Sequence, residues 1–112
     1  MNFSIENNNG YVIFTLKSKN LDSENSPQLK AELLILCQPT IKGLILDISA
    51  VEYIDSSGLG ALLLAHRQLK ENDTIITLVG AQDVVKSMLN ISQLTDLFNL
   101  EDTVEEAIKS YN

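Results

Sequence analysis

The chain has 112 residues, the usual size of one domain with one core, and its 45% hydrophobic and 21% charged residues are too apolar a mixture for a disordered chain. Fifteen acidic residues against 8 Lys and Arg give a formal net charge of -7, which argues against a phosphate-backbone binder, because that task needs a basic face to displace counterions. The opening Met1-Asn2-Phe3-Ser4-Ile5-Glu6 lacks the basic and apolar segments of a signal peptide, and the longest apolar runs, 33–37 and 61–65, fall far short of the roughly 20 residues that span a bilayer. The sequence therefore reads as a single cytoplasmic domain over residues 1–112, with no membrane insertion and no direct nucleic-acid partner.

Phe3 and Ile5, then Val12, Phe14 and Leu16, alternate with more polar neighbours at the strand period. Asn7-Asn8-Asn9-Gly10 between them supplies the positive φ angles of a tight turn, which predicts an opening antiparallel hairpin. Residues 17–25 are polar and read as a loop. Ser26-Pro27 then reads as a cap followed by proline at the first helical position, with Ser23 as an earlier alternative. Leu29, Leu33 and Leu36 recur at helical spacing until Pro39 stops the helix. Cys37, the one cysteine, lies in this Leu-rich stretch and reads as a buried, inert thiol.

The short run Gly43-Leu44-Ile45-Leu46-Asp47-Ile48 is almost continuously apolar, as a central strand is. Leu59, Leu62, Leu63, His66 and Leu69 share one face of a helix that starts just after Asp55-Ser56-Ser57. Residues 74–79 predict a further strand and residues 82–89 a shorter helix. Leu94, Leu97, Phe98 and Leu100 form an apolar patch with room for a short edge strand near Phe98. Asp102 or Thr103 caps a last helix ending near Tyr111. The expected fold is α/β: a mixed sheet of about four to five strands, parallel except for the hairpin, packed against about four helices.

One segment carries chemistry. Asp55-Ser56-Ser57-Gly58-Leu59-Gly60 joins an extended segment to an apolar helix. Capping alone accounts for Asp and Ser at such a place, and the glycines allow close packing. A serine there also lies where free amides and the helix dipole tolerate an anion. A phosphate on Ser56 would add roughly -1.5 to -2 charge beside Asp55. That group could leave the fold intact and still repel a partner surface.

Tyr53-Ile54-Asp55-Ser56-Ser57-Gly58-Leu59-Gly60, following the apolar strand 44–48, resembles the STAS family of bacterial anti-sigma-factor antagonists. The resemblance extends upstream to Leu21-Asp22, which matches the acidic residue of that family before its first helix, and downstream through residues 75–79 and 84–89. It implies that a partner, both anti-sigma factor and serine kinase, phosphorylates Ser56. The unphosphorylated form would bind that partner and free sigma factor; phosphorylation would break the complex, and a phosphatase acting on Ser56 would restore it. Asp22 and Asp55 would flank the site, with Ser57, Gly58, Leu59 and Gly60 completing the partner-binding surface, the glycines letting the partner approach the backbone. Family members often carry glycine before the first acidic loop residue, where this chain has Lys17-Ser18-Lys19-Asn20. Single-domain relatives also include subunits that dock on membrane lipid-transport ATPases and members of stress-signalling assemblies, which stand as the alternative reading.

No catalytic residue is expected. The one histidine, His66, lies ten residues beyond Ser56 on the same predicted helix, roughly 15 Å away at 1.5 Å per residue and out of reach for a nucleophile–base pair. Gly58 and Gly60 lack the Lys-Ser or Lys-Thr of a phosphate-binding loop, although some family members bind nucleotides. Cys37 and His66 are solitary, so neither a metal nor another cofactor is expected.

Overall fold

A computed structural model describes residues 1–111. Strands β1 (Phe3–Asn8), β2 (Tyr11–Leu16), β4 (Gly43–Asp47), β6 (Ile76–Val79) and β7 (Asn99–Glu101) form a five-stranded sheet in the order β1-β2-β4-β6-β7. The β1–β2 pair is antiparallel and every other pair is parallel. Helices α1 (Ser26–Leu36), α2 (Ser56–Lys70), α3 (Asp83–Ile91) and α4 (Val104–Ser110) cover the sheet, and a 3₁₀ turn at Thr95–Leu97 leads into β7. The α/β class, the mixed sheet, the opening hairpin and the four helices are those the residue pattern implied.

The hairpin closes on Asn9 (φ 54°) and Gly10 (φ 93°), both left-handed, as a two-residue turn matched to strand twist requires. Side-chain alternation then divides the core in two. Val12, Phe14, Leu44, Leu46, Ile76 and Leu78 join Leu29 and Leu33 of α1, Leu62 and Leu69 of α2, and Val85 and Leu89 of α3 in the larger cluster. Ile13, Ile45 and Val79 point the other way and pack with Ala107 of α4. β4 is thus buried on both faces, which explains its unbroken apolar run. Cys37 is buried at the end of α1, and burial pushes its thiol up to about 11, out of the reactive range.

Several boundaries differ from the sequence expectation. Ser26 is not the cap of α1 but its first residue, buried, and Ser23 lies in the preceding turn. Asn25 stands at the cap position without capping, because its carboxamide is spent on the turn: Oδ1 accepts from the Asp22 amide at 2.9 Å and Nδ2 donates to the Asn20 carbonyl. The strand expected from residue 74 begins at Ile76. The Thr74 amide instead donates to Leu69 O at 3.1 Å, so residues 72–74 still belong to the exit from α2.

The stretch read as a featureless loop contains β3 (Asn20–Leu21), which pairs in parallel with β5 (Tyr53–Ile54) as a separate small sheet. This pairing positions the site.

Candidate functional site

In the small sheet Asn20 lies opposite Tyr53 and Leu21 opposite Ile54. The chain leaves these two partners as Asp22 and Asp55, so the two acidic residues emerge side by side. Three amides tie the segments together: Glu52 to Lys19 O (2.7 Å), Tyr53 to Lys19 O (3.2 Å) and Asp55 to Leu21 O (3.2 Å).

Asp55 is the cap of α2. Its backbone is extended (φ -111°, ψ -173°), its Oδ1 accepts from the Gly58 amide at 3.0 Å, and its carbonyl accepts from Leu59. This is the aspartate version of the preferred helix start, worth about 1 kcal/mol. Asp22 performs a similar local task, with Oδ1 accepting from the Glu24 amide at 3.0 Å and its carbonyl from Ser26. Both carboxylates are partly exposed. Both therefore hold local backbone while still presenting charge at the surface.

Ser56 is the first residue of α2 and is exposed; Ser57 beside it is half-buried. Because Asp55 supplies the cap, the fold has no need of the Ser56 hydroxyl for that purpose.

Gly58 and Leu59 are buried. A Cβ on Gly58 would run into the Leu21 carbonyl oxygen and come within 2.8 Å of both Leu21 Cγ and Ile54 Cγ1. The missing side chain is thus used inside the fold, to seat α2 on β3, rather than to open backbone to an outside surface. Leu59 belongs to the larger core cluster. Gly60 is different: it is partly exposed, and the nearest atom to a Cβ there would be Lys30 Nζ of α1 at 3.9 Å. Nothing in the sequence marks Lys30 of α1 as a neighbour of α2.

His66 lies within α2, so its separation from Ser56 is that of ten helical residues, roughly 15 Å. Its ring instead meets Phe98 edge-on with centroids 6.0 Å apart. Among the described residues, no group of three or more His, Cys, Asp or Glu could hold a metal ion, and no helix is long and apolar enough to cross a membrane.

The STAS domain family model matches residues 2–107. The chain belongs to the STAS domain family. It is 26% identical over 106 residues to the anti-sigma-B factor antagonist of Staphylococcus aureus (strain NCTC 8325 / PS 47), covering 94% of this chain and 98% of that protein. The anti-sigma-factor antagonist domain protein of Planctomyces limnophilus has the same fold, with a TM-score of 0.88 at 16% identity over 97% of each chain. So does the Bacillus cell fate determinant SpoIIAA in its phosphorylated form, with a TM-score of 0.78 at 23% identity over 99% of this chain and 100% of that one.

Proposed function

We propose that this chain is an anti-sigma-factor antagonist switched by phosphorylation of Ser56. The observation that carries the reading is the division of labour at the start of α2: Asp55 caps the helix and leaves Ser56 exposed beside it. A hydroxyl so placed can be modified with the fold kept, and the local amides and helix dipole tolerate the added anion. The name of the Staphylococcus aureus relative, and the phosphorylated state of the Bacillus fold neighbour, support the same reading.

In this reading the unphosphorylated chain binds an anti-sigma factor that is also a serine kinase, and sigma factor is released. The kinase then transfers phosphate from ATP. Ser56 Oγ forms a bond to the γ-phosphorus, the bond from that phosphorus to the β,γ-bridging oxygen breaks, ADP leaves with the electron pair, and the hydroxyl proton passes to a base of the kinase. The chain is the substrate and contributes no catalytic group. The new charge, roughly -1.5 to -2, joins the Asp22 and Asp55 carboxylates on one small surface and expels a partner fitted to the neutral serine. A phosphatase acting on Ser56 resets the switch. Asp22, Asp55, Ser57 and Gly60 form the partner-facing surface, while Gly58 and Leu59 shape it from beneath.

Incubation with the cognate kinase and ATP tests this directly. One phosphate on Ser56 is the expected result, read by phosphopeptide mapping; phosphate on Ser57 alone contradicts the assignment. Affinity capture with Ser56→Ala and Ser56→Asp baits separates the sigma pathway from the docking of relatives on transporter ATPases. An anti-sigma kinase held only by Ser56→Ala supports the proposal; a transporter ATPase in its place overturns it.

A further inference from the structure

Lys30 Nζ lies across the open flank of Gly60, 3.9 Å from where a Cβ would stand. Gly60 and Ser56 are four residues apart on α2, so they share one helix face with Cβ positions about 5–6 Å apart. Cα–Cβ bonds tilt towards the helix start, which aims the Gly60 Cβ position towards Ser56. Lys30 is partly exposed, on a four-carbon stem free to change rotamer. A phosphate extends farther from the helix than the serine hydroxyl and shortens the remaining gap.

We propose that Lys30 is the counter-charge of phosphorylated Ser56: its ammonium moves about one helical turn, from the flank of Gly60 to the phosphate oxygens. The proposal rests on the reading of Ser56 as the modified residue and assigns to α1 a part in the switch. Asp55 at the cap of the same helix, and Asp22 and Glu24 on the turn before α1, are acidic and oppose a second negative charge on the phosphate. Lys30 reaches the same face from α1 with the opposite sign. It is a positioning residue, holding the phosphate against the protein's own surface and setting the protonation at which the phosphate becomes dianionic. Gly60 belongs to the same device, since the ammonium rests where a longer side chain would stand.

The test uses the full chain with phosphoserine installed at position 56 during translation, so that it does not depend on recognition by a kinase. Titration of the phosphate followed by ³¹P NMR reads its second ionisation. Removing an ammonium paired at the surface, in Lys30→Gln, is expected to raise that pKa by roughly 0.2–0.7 unit. Lys30→Arg is expected to restore the lower value, and added salt to shrink the difference. Equal midpoints for the Lys30 and Lys30→Gln chains, with unphosphorylated forms that melt alike, overturn the proposal. Failure of the anti-sigma reading shows elsewhere, as loss of kinase capture by the Ser56→Ala bait, and leaves this titration unaffected.

Discussion

The carbonyl oxygen of Leu21 occupies the place where a side chain on Gly58 would stand. This approach packs the turn carrying Asp22 against the helix carrying Ser56, although more than thirty residues separate them in sequence. The small β3–β5 sheet aligns the two segments, and Gly58 lets them close. Site geometry in this chain is therefore a packing property as much as a matter of motif.

Gly58→Ala is the sharpest probe of that packing. The methyl must displace backbone oxygen as well as two side chains, so overpacking is expected to cost about 1–3 kcal/mol in urea unfolding. Partner binding should fall too, because separating α2 from β3 moves Asp22 away from Ser56. A variant as stable as the parent would show that the approach is relaxed in solution.

Capping should fall to Asp55 and not to Ser56. Asp55→Ala removes the acceptor of the Gly58 amide and is expected to cost about 1 kcal/mol, within the 0.5–2 kcal/mol range for lost caps. Ser56→Ala changes an exposed position and should stay within about 0.5 kcal/mol of the parent. Denaturation midpoints of the two variants decide between these assignments.

Cys37 sets a pH dependence. Its folded-state thiol, pushed up to about 11 by burial, stays protonated where the thiol of an unfolded chain, near 8.5, already ionises. Protons are thus bound more tightly in the folded state. The stabilising contribution is fully present below about pH 8.5 and is lost as pH rises through about 11. Burial also raises the Tyr111 hydroxyl, which acts with the same sign at high pH. Unfolding free energies measured from pH 8 to 11 should decline, and Cys37→Ala should decline less. Equal slopes would contradict the burial of the thiol.

Much of this arrangement was legible in the residues. Asn9-Gly10 fixed the hairpin because few other pairs accept two positive φ angles, and the nearly continuous apolar run 44–48 marked a central strand, which the structure buries on both faces. Asp55-Ser56-Ser57 marked the helix start to within two residues: α2 begins at Ser56 and not after Ser57, because Asp55 alone supplies the cap. The β3–β5 pair was not legible, since two-residue strands show no alternation. The start of α1 was misplaced because the Asn25 carboxamide serves the preceding turn, and a side chain's choice between two backbone partners is decided by tertiary geometry. The same holds for Gly58 against Leu21 and Lys30 beside Gly60: each contact joins segments far apart in the chain, and one sequence carries no signal for it.

One phosphate on Ser56 is expected to break an otherwise stable complex. The affinity of the cognate anti-sigma factor for the chain, measured by calorimetry with serine and then with phosphoserine at position 56, tests it most directly. Placing the added charge against a desolvated partner surface should weaken binding by about a hundredfold or more, equivalent to about 2.8 kcal/mol at 1.4 kcal/mol per decade. Equal affinity for the two forms would contradict the switch.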